Sequence, residues 1–148
     1  GFEIIDNIAY ISCKKYGISK WDLNSGEYIE SLNFLSRKGY RLAAGCDSKL
    51  IMAYYYNNEV LFISSHSGNL ICSFMMLNAS DYTFYTPDNR FFCTSPEILQ
   101  VKEKKLTPHG FTEELITKPF EKYAKSLRFI VDIDDIFQII GKEIDKEN

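Results

Sequence analysis

The sequence predicts a mainly β protein, in which antiparallel four-stranded units repeat about every 42 residues ahead of a short α-helical tail. Three observations predict it. Short apolar runs alternate with clusters of Asn, Asp, Ser and Gly, the pattern of strands joined by tight turns. Aromatic residues make up 15% of the chain, and rings fit the pleated, half-buried surface of a sheet. Segments of similar pattern recur at near-constant spacing, which marks a repeat architecture.

The repeat is read directly from residues. Gly26 recurs as Gly68, 42 residues later, and at the same offset Ser25 meets Ser67, Ile29 meets Ile71, Ser31 meets Ser73 and Leu32 meets Phe74. Upstream, Ile8 meets Leu50, and no gap is needed. A second comparison, at an offset of 41, aligns Asp47-Ser48-Lys49-Leu50-Ile51-Met52 with Asp88-Asn89-Arg90-Phe91-Phe92-Cys93. Units of this length suit a four-stranded sheet each.

In the first unit, about 2–35, strands are expected at Phe2–Ile5, Ile8–Cys13, Ile18–Leu23 and Glu27–Leu32, with Asp6-Asn7, Tyr16-Gly17 and Asn24-Ser25-Gly26 as turns. In the second, about 38–77, they fall at Tyr40–Gly45, Leu50–Tyr55, Val60–Ser65 and Leu70–Met76. The third, about 80–107, is less regular: Tyr82–Tyr85, Phe91–Thr94, Ile98–Lys102 and a weak fourth strand near Lys105–Thr107. Residues 108–148 change pattern. Thr107-Pro108-His109-Gly110 reads as a break, Thr112-Glu113-Glu114-Leu115 as a helix start, and Pro119 as the opening of a helix to Arg128. Asp132 or Asp134 is expected to cap a last helix to about Glu143, whose apolar face holds Ile133, Ile136, Phe137, Ile140 and Ile144 and packs on the sheets.

Trp21-Asp22 at the end of the third strand, followed by Asn24-Ser25-Gly26, resembles the WD40 repeat, as does the turn Thr86-Pro87-Asp88-Asn89-Arg90-Phe91. The resemblance covers residues 2–105 and implies WD40-like β-propeller blades, about three of them. Only the first unit carries the Trp-Asp pair, Ile63-Ser64 and Val101-Lys102 standing in its place, and Gly39-Tyr40 is the nearest approach to the family's Gly-His dipeptide. Propellers close with four to eight blades, so three leave two open faces. The chain is therefore expected to be the C-terminal part of a larger propeller, to assemble with other copies of itself, or to cover a face with its tail.

Composition narrows the function classes. A net charge of −3 argues against a nucleic-acid grip or an anionic-membrane surface, which need clustered Lys and Arg. No apolar stretch is long enough to span a bilayer, and Gly1–Asp6 does not read as a signal peptide. Cys13, Cys46, Cys72 and Cys93 are too dispersed for a zinc or redox motif, so buried free thiols in a reducing cytoplasm are expected.

Candidate chemistry is sparse. His66 and His109 read as loop residues, Asp132, Asp134 and Asp135 as a helix cap, and Lys102-Glu103-Lys104-Lys105 as a solvated strand end. No phosphate-binding glycine loop or serine-nucleophile elbow occurs, and neither cofactor nor metal is expected. In Tyr54-Tyr55-Tyr56, alternation should bury some rings and expose others.

The expected function is a protein–protein interaction scaffold, not an enzyme, since WD-repeat proteins are characteristically scaffolds. Its partners would be proteins or further blades. The alternative is an accessory or regulatory domain of a larger multidomain enzyme or effector. One rim is expected to hold the binding residues Tyr16, Arg37, Lys38, Tyr56, Asn57 and Glu97, with Lys15 and Ser95 beside them.

Overall fold

The computed structural model describes residues 1–32, 39–55, 58–88, 90–95 and 132–146, and the backbone of 101–107 and 110–116. Among them the chain is mainly β. Four strands, β1 (Phe2–Ile5), β2 (Ile8–Cys13), β3 (Gly17–Asp22) and β4 (Tyr28–Leu32), form an antiparallel sheet in sequence order. A second sheet holds β5 (Arg41–Gly45), β6 (Leu50–Tyr55), β7 (Glu59–Ser64), β8 (Leu70–Met76), β9 (Tyr82–Tyr85) and β10 (Phe91–Cys93). β11 (Val101–Thr107) and β12 (Gly110–Ile116) make a hairpin, and helix α1 spans Ile133–Asp145.

The 42-residue repeat is a structural one. Ile8 faces Asp22 as Leu50 faces Ser64, and Cys13 faces Gly17 as Tyr55 faces Glu59. The repeat extends to an irregularity: pairing shifts between Lys20 and Trp21 in β3, and between Phe62 and Ile63 in β7. Such a bulge re-aims the strand before its turn. The turns match as well. Gly26 N–H donates to Asp22 C=O at 2.8 Å and Gly68 N–H to Ser64 C=O at 3.0 Å. Both glycines have left-handed backbones, φ +72° and +70°, where a Cβ is strained. The Asp22 carboxylate accepts from Ser25 N–H at 3.0 Å, and the Ser64 hydroxyl accepts from Ser67 N–H at 3.1 Å. The two polar side chains thus do one job.

The units differ at their first turn. Asp6-Asn7 joins β1 to β2 with φ of 46° and 65°, the left-handed pair of a tight hairpin. Between β5 and β6 the link is longer, Cys46 to Lys49, with Cys46, Asp47 and Ser48 all at positive φ. The register follows: Phe2 faces Ile11, and Leu42 faces Ala53, so Phe2 corresponds to Leu42.

Stacking of the two sheets makes the main core. Ile5, Tyr10, Ile18 and Leu32 from the first meet Leu42, Ile51, Ala53, Leu61 and Ile63 from the second. By the repeat, these are opposite faces of equivalent units, so the sheets stack head to tail. The second sheet's other face carries Phe62, Cys72, Phe74, Tyr82, Phe84 and Phe92, and α1 packs on it through Ile133, Ile136, Ile139 and Ile140. Asp132 caps α1, its carboxylate accepting from Asp134 N–H at 3.1 Å, with Asp134 and Asp135 in the first turn where acids favour the helix dipole.

Some expectations need correction. β9 and β10 do not open a sheet of their own. β9 pairs with β8, Phe74 facing Phe84 and Met76 facing Tyr82, which joins their rings to the cluster under α1. Thr112 does not start a helix: Gly110–Ile116 pairs along its length with Val101–Thr107, so Val101-Lys102 and the weak Lys105–Thr107 segment lie on one strand, 98–100 falling outside the described residues. A capping signal contributes about 1 kcal/mol, which a seven-residue ladder overrides. The helix expected from Pro119 to Arg128 lies outside the described residues. The cysteines are free, but only Cys72 is buried; Cys46 is exposed in the long β5–β6 turn.

Candidate interaction surfaces

Among the described residues, three surfaces carry side chains that could meet another molecule. The first is a cleft of about 510 Å³ where the sheets meet, lined by Tyr10, Lys20, Asp47, Lys49 and His66 among others. Its floor is built by register: Tyr10, Lys20 and Glu30 face one another across β2, β3 and β4. Lys20 is 7% exposed, which is tolerable only because its charge is met. The ammonium lies 3.0 Å from the Glu30 carboxylate and 3.3 Å from the His66 carbonyl, with the Tyr10 ring centroid at 5.8 Å. The Tyr10 hydroxyl donates to the Ser65 carbonyl. Two side chains of the first sheet therefore grip consecutive carbonyls in the β7–β8 turn of the second. Sequence reasoning missed Lys20. Its signal was a lysine in phase with Ile18 on a strand whose other face carries Ser19 and Trp21.

The second surface is a small cavity of about 240 Å³, lined by Gly39, Arg41, Tyr54, Tyr55 and Asn58. Of the predicted binding residues, Arg37, Lys38, Tyr56, Asn57 and Glu97 lie outside the described residues. Tyr16 is 64% exposed at the β2–β3 turn, with the Lys15 ammonium 5.0 Å from its ring centroid. Tyr54 is exposed, whereas Tyr55 stacks edge-on against buried Tyr40 at 6.0 Å, as alternation requires. Ser95 donates to Asp81 at 2.5 Å, and that bond with those of Asn78 and Thr94 holds the Asp81 carboxyl below its usual range.

The third surface is the outer face of the first sheet. Register sets Phe2 beside Ile11, and Ile4, Ala9, Trp21 and Tyr28 in a row across all four strands. Phe2 is 70% exposed, Ile4 51%, Ile11 41% and Tyr28 52%, while Trp21 is half-buried against the Tyr28 ring, 5.4 Å away. Trp21 and Asp22, the pair that carried the WD40 resemblance, thus form part of an open apolar face and its turn.

Among the described residues, no three His, Cys, Asp or Glu side chains gather as a metal site, and no helix is long and apolar enough to cross a membrane. No family model matches the sequence, and neither the curated proteins nor the solved structures yield a significantly similar chain.

Proposed function

We propose that this chain is a protein–protein interaction scaffold, a segment of a WD40-like β-propeller that meets its partner through the outer face of its first sheet. One observation carries the reading: large apolar side chains (Phe2, Ile4, Ile11 and Tyr28) stand exposed together on one sheet face. Contiguous apolar surface of this kind favours burial against a partner. The rim around Tyr16 and the Gly39–Tyr55 cavity would add polar specificity beside it.

Light scattering of the full chain over a range of concentrations, with binding of an apolar dye, tests this. The reading expects association or dye binding that Phe2→Lys with Ile11→Lys weakens about tenfold, the sheet content by circular dichroism staying unchanged. A chain that stays monomeric and dye-free, indistinguishable from the double variant, overturns it.

A further inference from the structure

We propose that the occupant of this open face is another unit of the same repeat, docked as the first sheet docks on the second. The proposal rests on the scaffold reading above and names its partner. The chain already contains one such interface, and the 42-residue correspondence locates its empty equivalent. In the second sheet, Leu42, Ile51, Ala53 and Ile63 receive the inner face of the first and lie in the main core. The corresponding residues of the first sheet are Phe2, Ala9, Ile11 and Trp21, all apolar, while Leu61 of the same core has Ser19 as its counterpart. Ala9 and Ile11 exchange the sizes of Ile51 and Ala53, so the pair conserves volume. Leu70, partly buried against the core, has Tyr28 as its counterpart.

The polar anchors have counterparts too. Tyr10 and Lys20 donate to the carbonyls of Ser65 and His66; the equivalent carbonyls belong to Leu23 and Asn24, both exposed residues. Leu32 of the first sheet lies so close over Gly68 that a Cβ there would stand 2.7 Å from Leu32 Cδ2. A Cβ at Gly26, with the same backbone, would meet nothing within 4 Å among the described residues. Gly26 is the counterpart of that seat. The partner is therefore a four-stranded sheet presenting a tyrosine, a lysine and a leucine in the positions of Tyr10, Lys20 and Leu32. At the other end α1 packs on the second sheet's equivalent of that donor face.

The test is a tandem chain in which residues 1–40 are repeated ahead of Gly1, so that Tyr40 precedes Gly1 as it precedes Arg41 in the second unit. The added unit carries Trp21→Phe, leaving the resident Trp21 as the only tryptophan and the reporter of the face. Docking lowers acrylamide quenching of that Trp21 several-fold and shifts its emission to shorter wavelength. Tyr10→Phe with Lys20→Met, placed in the added unit alone, restores the parent's quenching. If Trp21 stays as quenchable as in the parent while Phe2→Lys with Ile11→Lys still suppresses association, the face is a docking surface but its occupant is not this repeat, and the proposal falls. If that pair has no effect either, the scaffold reading falls with it.

Discussion

The two four-stranded units share strands, register, bulge and turn, yet equivalent positions meet opposite surroundings. Lys20 and Glu30 occupy the positions of Phe62 and Cys72, and Phe2 occupies that of Leu42. The inner face of the first sheet covers a turn whose Ser65 and His66 carbonyls accept its hydrogen bonds, and is correspondingly polar at Tyr10 and Lys20. The equivalent face of the second sheet lies under a helix rich in isoleucine and carries Phe62 and Cys72 instead. Backbone hydrogen bonding sets the repeat, and whatever lies across each face sets the side chains on it.

The largest effect that can break this comparison comes from Leu42 and Phe2. Leu42 is 8% exposed in the core, so Leu42→Ala should cost about 2–5 kcal/mol. Phe2→Ala, at 70% exposure, should cost less than about 0.5 kcal/mol, as surface changes do. Urea unfolding measures both; equal losses would mean that the outer face is already covered.

Next in size are the paired glycines. Each substitution by alanine meets the cost of a left-handed backbone, about 1–2 kcal/mol. Only Gly68→Ala also meets Leu32, so thermal unfolding should find it worse than Gly26→Ala by about 1–3 kcal/mol.

The smallest effect is kinetic and leaves stability untouched. Burial pushes the Cys72 thiol up to about 12, while hydrogen bonds from the backbone N–H groups of Lys15 and Tyr16 hold the Cys13 thiol below its usual range. The thiolate is the reactive form. Alkylation of the native protein should therefore label exposed Cys46 and Cys13, with Cys13 staying reactive to lower pH than an ordinary thiol. Cys72 should react only on unfolding, and its prompt labelling in the native state would remove α1 from its place on the second sheet.

Much of this was legible in the sequence. The repeat offset, the first eight strands to within a residue or so and a last helix capped by Asp132 or Asp134 all follow from local pattern, because turns and caps are made by neighbouring residues. Partners of strands are not local. Alternation identified β9 and β10 but could not say that Tyr82, Phe84 and Phe92 would extend the aromatic face of β8 instead of beginning a new sheet. Thr112-Glu113-Glu114 carries a true capping signal that pairing with β11 overrode. The open face was half legible: Trp21 drew notice through its resemblance, but its exposure depends on what stacks against the sheet. Lys20 became intelligible only once Glu30 and the His66 carbonyl were seen around it.

Head-to-tail stacking is the central claim, and a double-mutant cycle between Leu32 and Gly68 tests it most directly. If Leu32 lies over Gly68, Leu32→Ala makes room for a methyl, and Gly68→Ala becomes cheaper in that background by about 1–3 kcal/mol. Strict additivity, with Gly68→Ala costing the same whether or not Leu32 is present, would contradict the stack.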